Sequence, residues 1–157
     1  EIPGSALTVV LEGRRPIIVE IQALVVPTAF GYPKRTSLGV DLSRLQILLA
    51  ILESRVSTSF ASFDVFVNVV GGYRIYDRSA DLAICLALLS ARQGIALPSK
   101  EVFFGEVGLS GEIRPVTHSQ KRVGEVTRLG YPPNAPETSI GLFAQSLGLT
   151  SRRKGGA

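Results

Sequence analysis

The chain has 157 residues, enough for one domain with a sizeable core. Hydrophobic residues make up 45% of it and charged residues 19%, which excludes a disordered composition. No apolar run reaches the roughly 18 residues that a membrane span needs. The net charge of +4 is a modest basic excess, and the single cysteine, Cys85, excludes an internal disulfide and any zinc site built from several cysteines. Because the chain contains no methionine, we expect it to be a domain of a longer protein.

The first part of the chain predicts a hairpin followed by a loop. Residues 7–11 and 16–26 are apolar runs separated by a turn sequence, and they predict an antiparallel β-hairpin. Residues 27–38 contain two prolines and a glycine together with the basic pair Lys34 and Arg35. This composition predicts a long irregular loop, which in a compact domain is more often functional or mobile than idle.

Two helices and a strand are predicted in the middle of the chain. Leucines at helical spacing predict a helix that is capped by Asp41 or Ser43 and runs to about residue 55. Residues 64–70 predict a third strand that ends at a Gly-Gly pair. Residues 79–92 are apolar on nearly every side, which indicates a buried, central helix.

The C-terminal part is organised around a glycine-rich turn. Residues 105–115 predict a strand, a tight turn and a second strand, and residues 119–129 predict a helix that stops at a glycine. Residues 140–144 predict an extended segment. We expect residues 1–150 to form a single domain and residues 151–157 to form a disordered basic tail.

The order of these elements determines the predicted fold class. Strands do not alternate regularly with helices, as they would in a doubly wound fold. We therefore predict an α+β domain with a mixed sheet and helices packed on one face.

Ser79 is the first candidate for chemistry, because it begins the buried helix just after Asp77. Serine at such a position usually caps the helix, but it can also present a nucleophile where the helix dipole favours developing negative charge. A Ser–His–Asp arrangement could be assembled on paper from Ser79, His118 and Asp81. A single loop histidine is far more often a surface residue.

Basic residues are the second candidate feature. Lys34, Arg35 and Arg44 lie in and just after the long loop, and Arg74 and Arg78 flank the next turn. Phosphate binding requires such groups to converge on one surface, whereas the plainer interpretation is ordinary solvated charge. The sequence contains no P-loop, dinucleotide fingerprint or metal-binding signature.

Several stretches in order resemble the C-terminal domain of the bacterial-type RadA/Sms DNA repair proteins. They cover most of the chain and read LEGRRPIIVEIQALV, FGYPKRTSLGVDLSRLQILLAILE, DVFVNVVGG, SADLAICLALLSA and FGEVGLSGEIRPV. That domain is similar to the proteolytic domain of Lon proteases. The resemblance therefore implies the ribosomal protein S5 domain 2-like fold.

The Lon resemblance also implies a site. Lon-type proteases use a Ser–Lys dyad in which a desolvated lysine accepts the serine proton. Ser79 matches the serine of this dyad, and counting along the chain places Gln120 at the lysine position, with Lys121 beside it. Because glutamine cannot act as a base, the resemblance implies a vestigial dyad and no catalytic residue.

The remaining implications concern partners and cofactors. Family members form hexameric rings, bind double-stranded or branched DNA and drive branch migration with ATP, and a recombinase is a further partner in keeping with this role. ATP, magnesium and zinc would be bound by other domains, so none is expected here. The DNA-contact candidates in this chain are Lys34 and Arg35 first, then Arg44 and Arg78.

Two alternatives stay open at this point. One is an active Ser–Lys peptidase in which Lys121 or another lysine serves Ser79. The other is a purely structural oligomerisation module. The resemblance implies the bacterial cytoplasm, with a plant organelle as the alternative, and no membrane partner.

Overall fold

A computed structural model describes residues 1–132 and 138–150 of the chain. The predicted tail at 151–157 lies outside these residues. Strands β1 (Ser5–Glu12) and β2 (Arg15–Pro27) form an antiparallel hairpin whose register pairs Glu12 with Arg15 across a two-residue turn. This hairpin confirms the sequence prediction.

The main sheet has four strands in the order β1-β2-β4-β3. Strand β4 (Phe63–Val69) pairs antiparallel with β2, and β3 (Arg35–Leu38) pairs parallel with β4. The sheet is therefore mixed, as predicted. The prediction that residues 27–38 are all loop is wrong for β3, because this short polar segment becomes a strand only through its pairing with β4.

Helix α1 (Leu42–Arg55) begins at Asp41, whose side chain accepts a hydrogen bond from the Arg44 backbone N–H at 3.1 Å. Ser43 is therefore not the cap. A short 3₁₀ turn (Arg78–Ala80) leads into helix α2 (Asp81–Gln93), which is buried from Asp81 to Ser90. The prediction of a central buried helix is confirmed.

The predicted strand–turn–strand unit is a small separate ribbon, in which β5 (Glu106–Val107) pairs antiparallel with β6 (Ile113–Arg114). Gly111 adopts a φ of +80° in the intervening turn, a conformation that favours glycine. The apolar run before it lies beside β1, where the Phe103 N–H donates to the Leu7 carbonyl at 2.8 Å.

The last two helices are α3 (Ser119–Arg128) and α4 (Ile140–Ser146). The extended segment predicted at 140–144 is wrong. Ser139 caps a helix there, and Ile140, Phe143 and Ala144 meet the core at helical spacing. A short apolar run of this kind does not distinguish a strand from a buried helix until its packing partners are known.

The helices pack on both faces of the sheet. The main core joins one face to α1, α2 and α4. On the opposite face, Val126 of α3 packs with Val9 and Ile18, whose neighbours along β1 and β2 point into the main core. The prediction that helices lie on one face is therefore wrong for α3.

Beyond α3, the same face is open across β2, β4 and β3. Leu24 and Leu38 are 56% and 64% exposed there. No helix within residues 1–132 and 138–150 is long and apolar enough to cross a membrane.

Candidate functional site

The buried side chain of Arg122 lies against Ser79 in the interior of the domain. Ser79 sits in the 3₁₀ turn before α2, and Arg122 projects inward from α3; they are 1% and 0% exposed. Arg122 Nη1 donates to Ser79 Oγ at 2.7 Å and to the Val9 carbonyl at 2.9 Å. The pair thereby joins α3, the start of α2 and the outer edge of β1.

Asp77 balances the charge of Arg122. Arg122 Nη2 donates to Asp77 Oδ2 at 2.6 Å, and Arg122 Nε donates to the Thr117 carbonyl at 2.9 Å. Asp77 Oδ1 also accepts from the Ser79 backbone N–H at 3.0 Å. Burial by itself raises the pKa of Asp77, but the hydrogen bonds from Ser79 and Arg122 outweigh it and hold that pKa below its ordinary value. Every guanidinium nitrogen of this buried cation therefore has an acceptor.

Arg122 gives Ser79 no general base, and the Asp77 carboxylate beside the serine is made a weak base because hydrogen bonds from Ser79 and Arg122 hold its pKa low. A guanidinium stays protonated and only donates hydrogen bonds, so Arg122 cannot take the serine proton. The Ser79 hydroxyl itself points toward the Val9 carbonyl at 3.5 Å, and a carbonyl oxygen is not a base for nucleophilic catalysis. The geometry therefore holds the serine as a structural hydrogen-bonding group.

Gln120, which the resemblance places at the lysine position of the dyad, does not lie beside the buried Ser79, whereas Arg122 does. Gln120 is exposed, and so is Lys121, whose Nζ donates to the Arg14 carbonyl at 3.4 Å. Arg122 lies two residues after Gln120, which is about 200° around a helix. The sequence did carry a signal for Arg122, because it is four residues before the buried Val126 and hence on the same helical face.

The triad drawn from Ser79, His118 and Asp81 does not form. His118 is exposed at the start of α3 with a positive φ of 54°, and Asp81 belongs to a different ion pair. Within the described residues, no group of His, Cys, Asp and Glu is arranged to hold a metal ion.

Asp81 binds Arg44, one of the predicted DNA-contact residues. Arg44 Nε donates to Asp81 Oδ1 at 3.0 Å, and its Nη2 donates to Asp81 Oδ2 and to the Val107 carbonyl. Burial raises the pKa of Asp81 and the bond from Arg44 opposes that rise; the same bond raises the pKa of Arg44. Arg44 thus links α1, α2 and β5 and has its charge balanced internally.

The other candidate residues do not form one patch. Arg35 is half-buried, and its guanidinium donates to the backbone carbonyls of Phe60 and Phe63. Lys34 is exposed just before β3. Arg78 is 66% exposed with its Nη1 3.4 Å from Glu106 Oε1, and it lines a cavity together with Arg44.

The comparisons with known proteins support one family. No family model matches the chain. The "DNA repair protein RadA" of Brucella abortus is 48% identical over 129 residues, covering 82% of this chain and 28% of that protein. The proteins of the same name from Escherichia coli and Mycolicibacterium smegmatis are 46% and 44% identical, covering 85% and 90% of this chain and 31% of each relative.

The fold and the site together define a mixed α+β domain with a buried serine that is hydrogen-bonded to an arginine. The chain belongs to the RadA family. It spans less than a third of the length of the curated relatives that it matches.

Proposed function

We propose that this chain is a non-proteolytic, Lon-protease-like domain of a RadA-type DNA repair protein, and that it binds DNA without sequence preference. The proposal that the domain is non-proteolytic rests on the Arg122–Ser79 hydrogen bond of 2.7 Å inside the core. A serine peptidase needs a proton acceptor beside an accessible hydroxyl, and this hydroxyl is buried against a permanent cation.

The DNA-binding part rests on the names of the relatives and on charge. The chain has a net charge of +4 and a calculated pI of about 9.6, and side chains such as Lys34 are exposed. Lysine and arginine bind DNA by releasing counterions from phosphates, which needs no base contact. In the whole protein, this domain would serve ATP-driven branch migration, with ATP, magnesium and zinc bound elsewhere, in the cytoplasm of a bacterium.

A second candidate function is oligomerisation, and the open sheet face favours it. Leu24 and Leu38 are exposed on this face beside the partly buried Phe66, and a cavity of about 590 Å³ lies among them. Burying such apolar surface against a second copy would stabilise a ring. We propose that the domain also supports a homo-oligomeric, hexameric ring of S5 domain 2-like units.

DNA binding by this chain across a salt series tests the proposal, with the mass of the same samples read by light scattering. We expect binding that weakens steeply with salt and is equal for unrelated duplex sequences. A serine-directed covalent probe should leave Ser79 unlabelled. Labelling that Ser79→Ala abolishes would instead establish the peptidase alternative. An oligomer that does not bind DNA at low salt would instead support the alternative of a purely structural oligomerisation module.

A further inference from the structure

The turn of the β1–β2 hairpin and the start of α3 bring three cations to one surface. Arg14, Arg15 and Lys121 are all exposed, and Lys121 Nζ lies 3.4 Å from the Arg14 carbonyl. We call these three residues the hairpin–helix surface. Lys121 is more than 100 positions from the two arginines in the chain, so only the packing of α3 on β1 and β2 brings it beside them.

Carboxylates do not neutralise the hairpin–helix surface. Within the described residues, none of its cations has an acidic oxygen within 4.0 Å. Glu125 on α3 is already bound by Arg128 through hydrogen bonds of 2.6 and 3.0 Å. The pKa of Glu125 is lowered first by those bonds and least by the charge of Arg15. Glu12 lies across the hairpin from Arg15 without an ion pair.

Several arginines elsewhere in the domain differ from these three residues, because their guanidinium groups have partners within the domain. Arg35, Arg44 and Arg122 donate to acceptors inside the domain. Arg114 and Arg128 pair with Glu112 and Glu125 at 2.8 and 2.6 Å. The hairpin–helix surface therefore combines three exposed cations without an ion pair, and their like charges repel unless an anion is shared between them.

A groove of about 350 Å³ adjoins this surface. It is lined by Leu11, just before the hairpin turn, by Thr117, just before α3, and on its other side by Arg74 and Tyr76. Arg74 is exposed, and its Cζ lies 6.0 Å from the centre of the Tyr76 ring. The groove therefore adds the cation Arg74 beside the hairpin–helix surface, and the one acidic residue in its lining, Asp77, is paired with the buried Arg122.

We propose that the hairpin–helix surface is the place where this domain contacts the phosphate backbone of duplex DNA. The inference rests on the proposed DNA-binding function and gives it a location that differs from Lys34 and Arg35. Guanidinium and ammonium groups at this surface bind phosphate oxygens and release counterions. The contact reads no base sequence, because the cations are held at a turn and a helix end rather than inserted into a groove of the duplex.

Two double variants test the location, and each removes two positive charges from exposed positions. Arg14→Gln/Lys121→Gln changes the hairpin–helix surface, and Arg55→Gln/Lys100→Gln is the matched control. Binding of a short fluorescein-labelled duplex of mixed sequence is followed by anisotropy across a salt series. Thermal unfolding confirms that both variants are folded like the parent.

We expect Arg14→Gln/Lys121→Gln to weaken binding about tenfold at low salt and to reduce the salt slope by roughly 1–2 units. The control should bind like the parent chain. Equal weakening by both variants, or a larger effect of the control, would overturn this location while leaving the DNA-binding function intact. A parent chain that does not bind the duplex at low salt would overturn both.

Discussion

Arg122 and Ser79 form a hydrogen bond of 2.7 Å between two side chains that solvent does not reach. The guanidinium, which stays protonated, lies directly beside the serine hydroxyl. Its remaining contacts, to Asp77 and to the carbonyls of Val9 and Thr117, are structural bonds between α3, β1 and the start of α2. The site therefore links these elements at the position where the resemblance to Lon proteases implies a vestigial dyad.

The first prediction concerns the stability that Arg122 provides. Arg122→Met should lower the free energy of unfolding by about 3 kcal/mol, because it leaves Asp77 and the Val9 carbonyl without their buried donor. Arg128→Met is the control; it removes an exposed ion pair on the same helix, which water and salt screen, and should lower the free energy of unfolding far less than Arg122→Met does. Urea unfolding measures both. Equal losses for the two variants would contradict the structural role of Arg122.

The second prediction is a pH dependence that arises from Asp77. The pKa of Asp77 in the folded protein lies below its ordinary value of about 3.8, so its ionised form stabilises the fold. This contribution is complete above the ordinary pKa and is lost as the pH falls through the lower, folded pKa. Asp77→Asn should therefore be less stable than the parent near neutral pH by about 1–3 kcal/mol, and the gap should close in acid.

A double-mutant cycle with Arg122→Met is the control for Asp77. If the carboxylate acts mainly through Arg122, Asp77→Asn should lower the free energy of unfolding clearly less in the Arg122→Met background than in the parent chain. Unfolding curves over a range of acidic pH give both comparisons. A gap between Asp77→Asn and the parent that stays constant into acid would contradict the assignment.

The third prediction separates structural from surface cations. Arg44→Met should lower the free energy of unfolding by about 3 kcal/mol, since Asp81 would stay buried without its partner. Lys34→Met, at an exposed position beside β3, should change it by about 0.5 kcal/mol or less. Chemical unfolding of the two variants is the measurement. A negligible effect of Arg44→Met would mean that its charge is free to bind a ligand.

The fourth prediction uses two glycines in different settings. Gly124 is exposed within α3 and has open space around its missing side chain, so Gly124→Ala should stabilise the chain by about 0.5–1 kcal/mol. Gly39 has a φ of +91°, and a Cβ there would lie 2.5 Å from the Tyr73 carbonyl oxygen. Gly39→Ala should therefore destabilise the chain by about 1–3 kcal/mol. We expect Gly124→Ala to raise the melting temperature and Gly39→Ala to lower it. A lower melting temperature for Gly124→Ala would contradict the open space around Gly124 in α3.

Local patterns in the sequence were sufficient for the hairpin, for α1 and for α2. Alternating apolar runs, leucines at helical spacing and the capping side chain of Asp41 each act within a few residues, so they can be recognised without the rest of the fold. The same patterns failed for β3 and α4. Both are short, and their form depends on a strand and a core supplied by distant parts of the chain.

The sequence by itself thus determined the class of the fold and the presence of a buried helix that begins near Ser79. It could not determine what each arginine does, because Arg14, Arg44 and Arg122 carry the same group in similarly polar stretches. Tertiary packing buries Arg122 against Ser79 and Asp77, pairs Arg44 with Asp81, and leaves Arg14 in solvent beside Lys121. The physical reason is that a buried charge must find partners to offset its lost hydration, and those partners come from elements far away in the chain.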